Sequence, residues 1–414
     1  MAVSLTVDQA RLIAEIEALA QISDTPYPSV TRVLFTAADM KARAYLRQLY
    51  VAAGLSVRED AVGNTYARWV GTDAVAQPVA TGSHTDAIPN AGRFDGVVGV
   101  LGGLEAIRAL QRSGFKPRRS IELIMFTAEE PTRFGFGCLG SRIMAGALSA
   151  EKLAALRDKD GHSLDEARSA VGYTDPLPSA RLPTDAYAAF VELHIEQGSR
   201  LEQAGLPIGI VTAIAAPATL QVQLTGEGGH AGTVLMPERH DPVLAAAEIM
   251  LAAERAAKAT GNVNSVATCG LVQVLPGAVN SIPREVSLAI DIRDIDLARR
   301  DAMLAEVRAA VRGAAEKRGC GWSDEVLNAD SPATCDVKII ATVREVCAEL
   351  GLRCQEMTSR AYHDSLFMAL VCPTSMIFVP SQGGYSHRPD EFTAPDEIAN
   401  GVRVLAGTLA RLAT

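Results

Sequence analysis

The sequence predicts an α/β chain: a mostly parallel sheet flanked by helices, interrupted by a smaller α+β segment. Three observations carry this. Up to residue 212, and again from 329, short β-rich runs alternate with segments of 3.6-residue apolar period. That is the βαβ rhythm of a parallel sheet covered on both faces. Between 213 and 328 the order becomes strand, helix, strand, strand, helix, strand, the split βαβ pattern of a ferredoxin-like domain. The chain has 414 residues, 48% of them hydrophobic, enough for more than one buried core.

Taken in order, the opening MAVSLTVDQARLIAEIEALAQIS carries Asp8, Glu15 and Glu17 within its apolar pattern. It reads as an amphipathic helix, because a signal peptide needs a basic start and an unbroken apolar stretch. PVATGSH (78–84) ends a strand, and GVVGVLGGLEAIRALQRSG (96–114) has the period of a packed helix. SIELIMFTAEEP (120–131) is a strand ending in two acids, and AAFVELHIEQG (188–198) is one ending in His and Glu. In such sheets, sites form at the carboxyl ends of strands.

The interrupting segment opens with the alternating strand ATLQVQLTGEGG (218–229). A helix follows over 241–261, with Asp241 as N-cap, Pro242 at N1 and Gly261 past its end. NSVATCGLVQVL and REVSLAIDIRDID are strands. A second helix over 297–319 ends in basic residues and Gly319, and a last strand lies near 322–328. The α/β rhythm then resumes with the helical DVKIIATVREVCAELG and the strand-like TSMIFVP.

Formal net charge is −9. That argues against a nucleic-acid partner or an anionic membrane surface, neither of which attracts an acidic protein. No run approaches the ~18 apolar residues of a membrane span. Seven cysteines are scattered without a CxxC pair, which reads as reduced thiols acting as small buried hydrophobes in a cytoplasmic protein.

The chemistry concentrates in five places. His84 and Asp86 form an H-x-D, Asp95 lies in FDG, Glu129 and Glu130 end a strand, His194 sits in ELHIEQG, and His387 sits in SHRPDE. Imidazoles and carboxylates of this kind suit Zn²⁺, Mn²⁺ or Co²⁺. Two divalent ions side by side need a bridging carboxylate with terminal N/O ligands on either side. Asp95 is the expected bridge, His84 and His194 complete one shell, and Glu130 and His387 complete the other. Asp86 is expected to accept the second N–H of His84 and fix its tautomer. Glu129 is left as general base toward a water. A lone loop histidine is more often solvated, and an EE pair is usually surface charge. Six such residues at strand ends or in Gly-rich loops are harder to explain so. His162 and His240 receive no role.

GSHTD, GRFDG, TAEEPTRFGFGCLGSR, ELHIEQG, GGHAGT, AVNSIP, DIRDID and SHRPDE together resemble the dinuclear-metal amidohydrolases of the hydantoinase/carbamoylase group. The likeness covers essentially the whole chain, in order. Within the group, FDGVVGVLGGLEAI, GIVTAIAAPATL, GGHAGTVLMP, SRAYHDSLFMA and GYSHRPDEF are most similar to the ureidoglycolate amidohydrolase branch. Carbamoylases and allantoate amidohydrolases tend to carry Ser-Gly-Ala-Gly-His-Asp where this chain has Ser359-Arg360-Ala361-Tyr362-His363-Asp364.

The resemblance implies a metallopeptidase-like catalytic domain over 1–212 and 329–414. It implies an inserted lid and dimerisation domain over 213–328. It further implies two divalent ions, Mn²⁺ or Zn²⁺, and a homodimer in which His230 reaches the neighbouring subunit's site to stabilise an oxyanion. Asn280 and Arg293 match the group's substrate-carboxylate clamp. Gln197 and His363 are further contacts to the substrate. Tyr362 either donates to substrate or is a packed phenol. The implied reaction is hydrolysis of a ureido C–N bond in purine catabolism, (S)-ureidoglycolate going to glyoxylate, ammonia and CO₂. N-carbamoyl-L-amino acids and allantoate are the alternative substrates. A metal-free binding protein on the same scaffold would have lost a ligand or the base, and none of the six is missing.

Overall fold

The computed structural model describes residues 5–414; residues 1–4, which the helical reading of the N-terminus includes, lie outside the described residues. The helix runs from Gln9 to Ala20, with the Asp8 side chain accepting from the Arg11 N–H.

The β-rich runs of the first part build one sheet around a parallel centre. Thr374–Val379 pairs in parallel with Ala189–Ile195, that strand with Val79–His84, and Val79–His84 with Ile121–Phe126. Every residue of these four strands is buried, as expected where helices cover both faces. The flanks are antiparallel. Thr65–Trp69 lies on Ile121–Phe126 with Ser56–Glu59 beyond it, and Ile208–Ile214 lies on the other side of Thr374–Val379.

The helix Val97–Arg112 lies against this sheet beside the helix Pro395–Leu412. Its approach is close: a Cβ on Gly99 would stand 2.4 Å from the Leu193 carbonyl oxygen. The GVVGVLGG run is therefore a packing device, and it seats the helix immediately after the loop carrying Asp95.

The described chain comprises two compact units. One comprises the described residues to Thr212, Thr334–Ser359 and His363–Thr414; the other comprises Ala213–Ala333 and Arg360–Tyr362. In the second unit the strands Ala216–Thr225, Val266–Leu275, Glu285–Asp294 and Gly321–Ala329 form an antiparallel sheet. Its spatial order is second, third, first and fourth in the unit's own sequence, the split βαβ arrangement. The helices Pro242–Ala259 and Leu297–Lys317 bury Ile249, Met303, Val307 and Val311 against Leu220, Val222, Leu288 and Ile290. Asp241 caps the first helix by accepting from the Val243 N–H at 2.9 Å. Among the described residues no helix is long and apolar enough to cross a membrane.

Candidate metal centre

The chemically loaded residues lie at the carboxyl ends of the parallel strands, where the sequence put them. His84 is the last residue of Val79–His84, and His194 is the penultimate residue of Ala189–Ile195. Each imidazole is oriented through Nδ1 by a main-chain carbonyl: His84 by that of Asp86 at 3.1 Å, His194 by that of Ile195 at 2.9 Å. With Nδ1 engaged, Nε2 is the nitrogen that each ring turns toward the site.

Glu129 and Glu130 lie a few residues past the strand that ends at Phe126. The intervening turn is sharp because Ala128 adopts φ 51°. It is held by the Asn64 side chain, whose Oδ1 accepts from the Thr127 N–H at 2.8 Å. His387 stands at φ 60° on the loop after Thr374–Val379.

These segments converge on Asp95, and its two oxygens face different groups. Oδ1 lies 3.2 Å from His194 Nε2 and 3.9 Å from His84 Nε2. Oδ2 lies 3.2 Å from His387 Nε2, which is also 3.2 Å from Glu130 Oε1. Two sets of potential ligands, His84/Asp95/His194 and Asp95/Glu130/His387, therefore share Asp95. A third cluster joins Glu192, His194 and His363. The residues fit a divalent cation on a direct observation: Asp95 Oδ1 and His194 Nε2 are both buried, face one another, and have no hydrogen-bond partner. Groups of that kind are rarely left without a partner, and a cation between them would satisfy both.

The electrostatics are those of a charged cluster away from water. Burial opposes ionisation of Asp95, yet His194 and His387 hold it well below the carboxylate range. Burial likewise opposes charge on His84, but Glu129, Asp86 and Asp95 hold its imidazole well above the ordinary value. His387 is raised to about 10 by Asp95 and Glu130. Burial pushes Glu129 well above its usual range, with His84 opposing and Glu130 adding to the shift.

Asp86 departs from expectation. Its carboxylate is 3.6 Å from His84 Nδ1, beyond hydrogen-bonding reach, because its own carbonyl already takes that N–H. The carboxylate instead accepts from the main-chain N–H groups of Glu129 at 3.2 Å and Glu130 at 3.0 Å. It fixes the Glu129–Glu130 turn. Gln197, expected to touch substrate, donates from Nε2 to Asp95 Oδ2 at 2.8 Å. It is strained at φ 54° and bound to the carboxylate between the two ligand sets.

His363 is buried, with its ring centroid 4.6 Å from that of His194. In the second unit, His230 and Asn280 come together because His230 pairs with Ser281 in a short ladder. Both are exposed, and His230 Nδ1 accepts from the Gly232 N–H at 3.0 Å. Arg293 spends its fork on Asp291, at 2.7 and 3.1 Å, and donates to the Arg360 carbonyl at 2.9 Å. The Tyr362 hydroxyl donates to Asp330.

Four residues around the site escaped the sequence reading. Ser386 donates to Asp95 Oδ2 at 2.9 Å and lies the same distance from Glu391. Glu391, fully buried, accepts from the N–H groups of Phe94 at 2.8 Å and Asp95 at 3.1 Å. Both lie within the SHRPDE run that also carries His387. Glu192 accepts from Ser83 and Ser365, and Asp364 from Ser141 at 2.5 Å. Glu192 stood two residues before His194, on a strand buried throughout.

Residues 80–411 match the family model described as peptidase family M20/M25/M40. Over 419 residues the chain is 50% identical to a ureidoglycolate hydrolase of Arabidopsis thaliana, covering 100% of this chain and 88% of that protein. Over 404 residues it is 39% identical to an N-carbamoyl-L-amino acid amidohydrolase of Geobacillus stearothermophilus, covering 97% and 98%. The solved structure of AtUAH in complex with (S)-hydroxyglycine matches with a TM-score of 0.91 at 50% identity, over 99% of both chains. By the family model and by relatives aligned along nearly its whole length, the chain belongs to peptidase family M20/M25/M40, a family of metal-dependent enzymes.

Proposed function

We propose that the chain hydrolyses a ureido C–N bond of a small acid, (S)-ureidoglycolate above others, using two divalent cations, Mn²⁺ or Zn²⁺. The observation that carries this is Asp95, whose Oδ1 faces His194 at 3.2 Å while Oδ2 faces His387 at 3.2 Å. His84, Asp95 and His194 would hold one cation, and Asp95, Glu130 and His387 the other. Bound there, such cations would supply Lewis acidity to the ureido carbonyl and acidify an attacking water.

The rest of the chemistry falls to the chain's own side chains. Glu129, buried with Oε2 3.8 Å from His84 Nε2, takes the proton of the attacking water and returns it to the departing nitrogen. The Asp86 carboxylate holds the turn that aims Glu129. Gln197 orients Asp95 through its Nε2 donor and lies where it can also contact the substrate. His230, acting on a second copy's site in a homodimer, donates to the developing oxyanion. Its Nδ1 already accepts from Gly232, so Nε2 carries the proton and the ring donates without needing to be cationic. Arg293, with Asn280, binds the substrate carboxylate in bidentate fashion after exchanging Asp291 for it. His363 contacts the substrate. The Tyr362 hydroxyl, engaged with Asp330, would donate to substrate only after exchanging that partner. The inserted unit serves as dimer interface and lid, excluding water.

Loss of the ureido carbonyl as carbamate gives CO₂ and ammonia, leaving hydroxyglycine, which collapses to glyoxylate and a second ammonia. This places the reaction in purine catabolism. The AtUAH structure with (S)-hydroxyglycine supports this order. Ammonia release from (S)-ureidoglycolate, allantoate and N-carbamoyl-L-amino acids, each with Mn²⁺ and with Zn²⁺, tests the assignment. The kcat/KM for ureidoglycolate should lead by about 10²-fold or more, because a polar pocket discriminates strongly against a substrate that leaves its groups unpaired. A higher value for allantoate or a carbamoyl amino acid would overturn it.

A further inference from the structure

We infer that Cys138 is a positioning residue for Glu129: its thiol pins Oε1 of that carboxylate and leaves Oε2 as the proton-carrying oxygen. The inference rests on the reading of Glu129 as the base.

Glu129 lies between two non-glycine residues with left-handed backbone, Ala128 at φ 51° and Cys138 at φ 54°. Such conformations are costly for residues with a Cβ and persist only where surrounding structure imposes them. Here the two segments are clasped. The N–H of Cys138 donates to the Glu129 carbonyl at 2.7 Å, Leu139 to Ala128 at 2.8 Å, and Gly140 to Thr127 at 2.8 Å. Behind them Ser141 bridges the Cys138 carbonyl, at 3.2 Å, and the buried Asp364 carboxylate, at 2.5 Å.

This clasp brings the Cys138 sulfur to 3.6 Å from Glu129 Oε1, where the thiol donates. The other oxygen, Oε2, is directed toward His84, on the side of the ligand cluster. Cys138 is fully buried, so the contact is made away from bulk solvent. A thiol is a weak donor, yet a carboxylate acceptor in a dry site strengthens the contact and gives it direction. The thiol itself stays protonated, since burial and then Glu129 push it well above its usual range. Cys138 is thereby a fixed donor rather than a nucleophile.

The test compares holoenzymes. Cys138→Ala should lower kcat about three- to tenfold, with KM and bound metal unchanged, since only the aim of the base is lost. Cys138→Ser, which keeps a donor on a shorter bond, should recover part of that loss. Native kcat in Cys138→Ala would overturn the inference. So would an equal loss in both variants, which would mark a packing role. Glu129→Gln separates the two levels: if that variant turns over normally, the reading of Glu129 fails, whereas an inactive Glu129→Gln beside a fully active Cys138→Ala sinks the Cys138 inference alone. If Cys138→Ala does not fold, the infrared S–H band decides. That band, isolated by difference against Cys138→Ser, should shift when Glu129 becomes glutamine, and an unmoved band would refute the contact.

Discussion

Asparagine at position 86 is nearly isosteric with the native aspartate but neutral. In the native chain the two carboxylate oxygens accept from the Glu129 N–H at 3.2 Å and the Glu130 N–H at 3.0 Å. The Asp86→Asn side chain can keep one of these bonds; its NH₂ would then face the other N–H, donor against donor. Hydrogen bonds to a charged acceptor contribute about 1.5–3 kcal/mol, and an unsatisfied buried donor costs about 1–3 kcal/mol. Losing one bond and weakening the other therefore costs about 2–4 kcal/mol, concentrated in one turn. Because that turn carries both Glu129 and Glu130, the cost should surface as weaker metal binding, about 10–100-fold, the usual scale for disrupted groups behind a ligand. Chelator competition measures the metal affinity, and ammonia release at saturating metal measures what remains of kcat. Native metal affinity in Asp86→Asn would refute the claim that this carboxylate holds the turn.

Other outcomes follow from the same geometry. Gly140→Ala places a Cβ 2.1 Å from Asn64 Oδ1 and 2.8 Å from the Thr127 main chain, so thermal unfolding should show a loss of about 1–3 kcal/mol or more. His230→Ala should lower kcat about 10²–10³-fold without altering bound metal, as removal of an oxyanion donor does. Mixing His230→Ala with a metal-site variant should restore part of the activity if the histidine acts on a second copy. Arg293→Ala should raise KM for the acid substrate while sparing an uncharged ureido analogue, measured by steady-state kinetics.

Much of the parallel core was readable because each buried strand is a short apolar run that ends in a chemically distinctive loop. The two antiparallel flanks were not. Ser56–Glu59 is largely exposed and carries no apolar signature that distinguishes pairing direction. The candidate ligand types were equally visible, since His84, Asp95, Glu130, His194 and His387 stand at strand ends or in loops, where imidazoles and carboxylates are costly to gather without purpose. What lay beyond sequence reasoning was partnership. An Asp two residues after a His looks like its hydrogen-bond acceptor, but the chain's turn lets the main-chain carbonyl of Asp86 take that place. That Gln197 stands at φ 54° and donates to Asp95 depends on the fold, and no local pattern announces it. Glu391 and Asp364 act across 296 and 223 residues of chain, a separation no local pattern encodes.

The proposed two-cation chemistry depends most directly on Asp95. Elemental analysis of the native protein and of Asp95→Ala, with ammonia release from (S)-ureidoglycolate measured on the same samples, tests it in one comparison. Two divalent ions per native chain, with loss of both metal and turnover in Asp95→Ala, is the predicted result. Turnover that survives complete removal of metal, or an Asp95→Ala protein that keeps its ions and its rate, would contradict it.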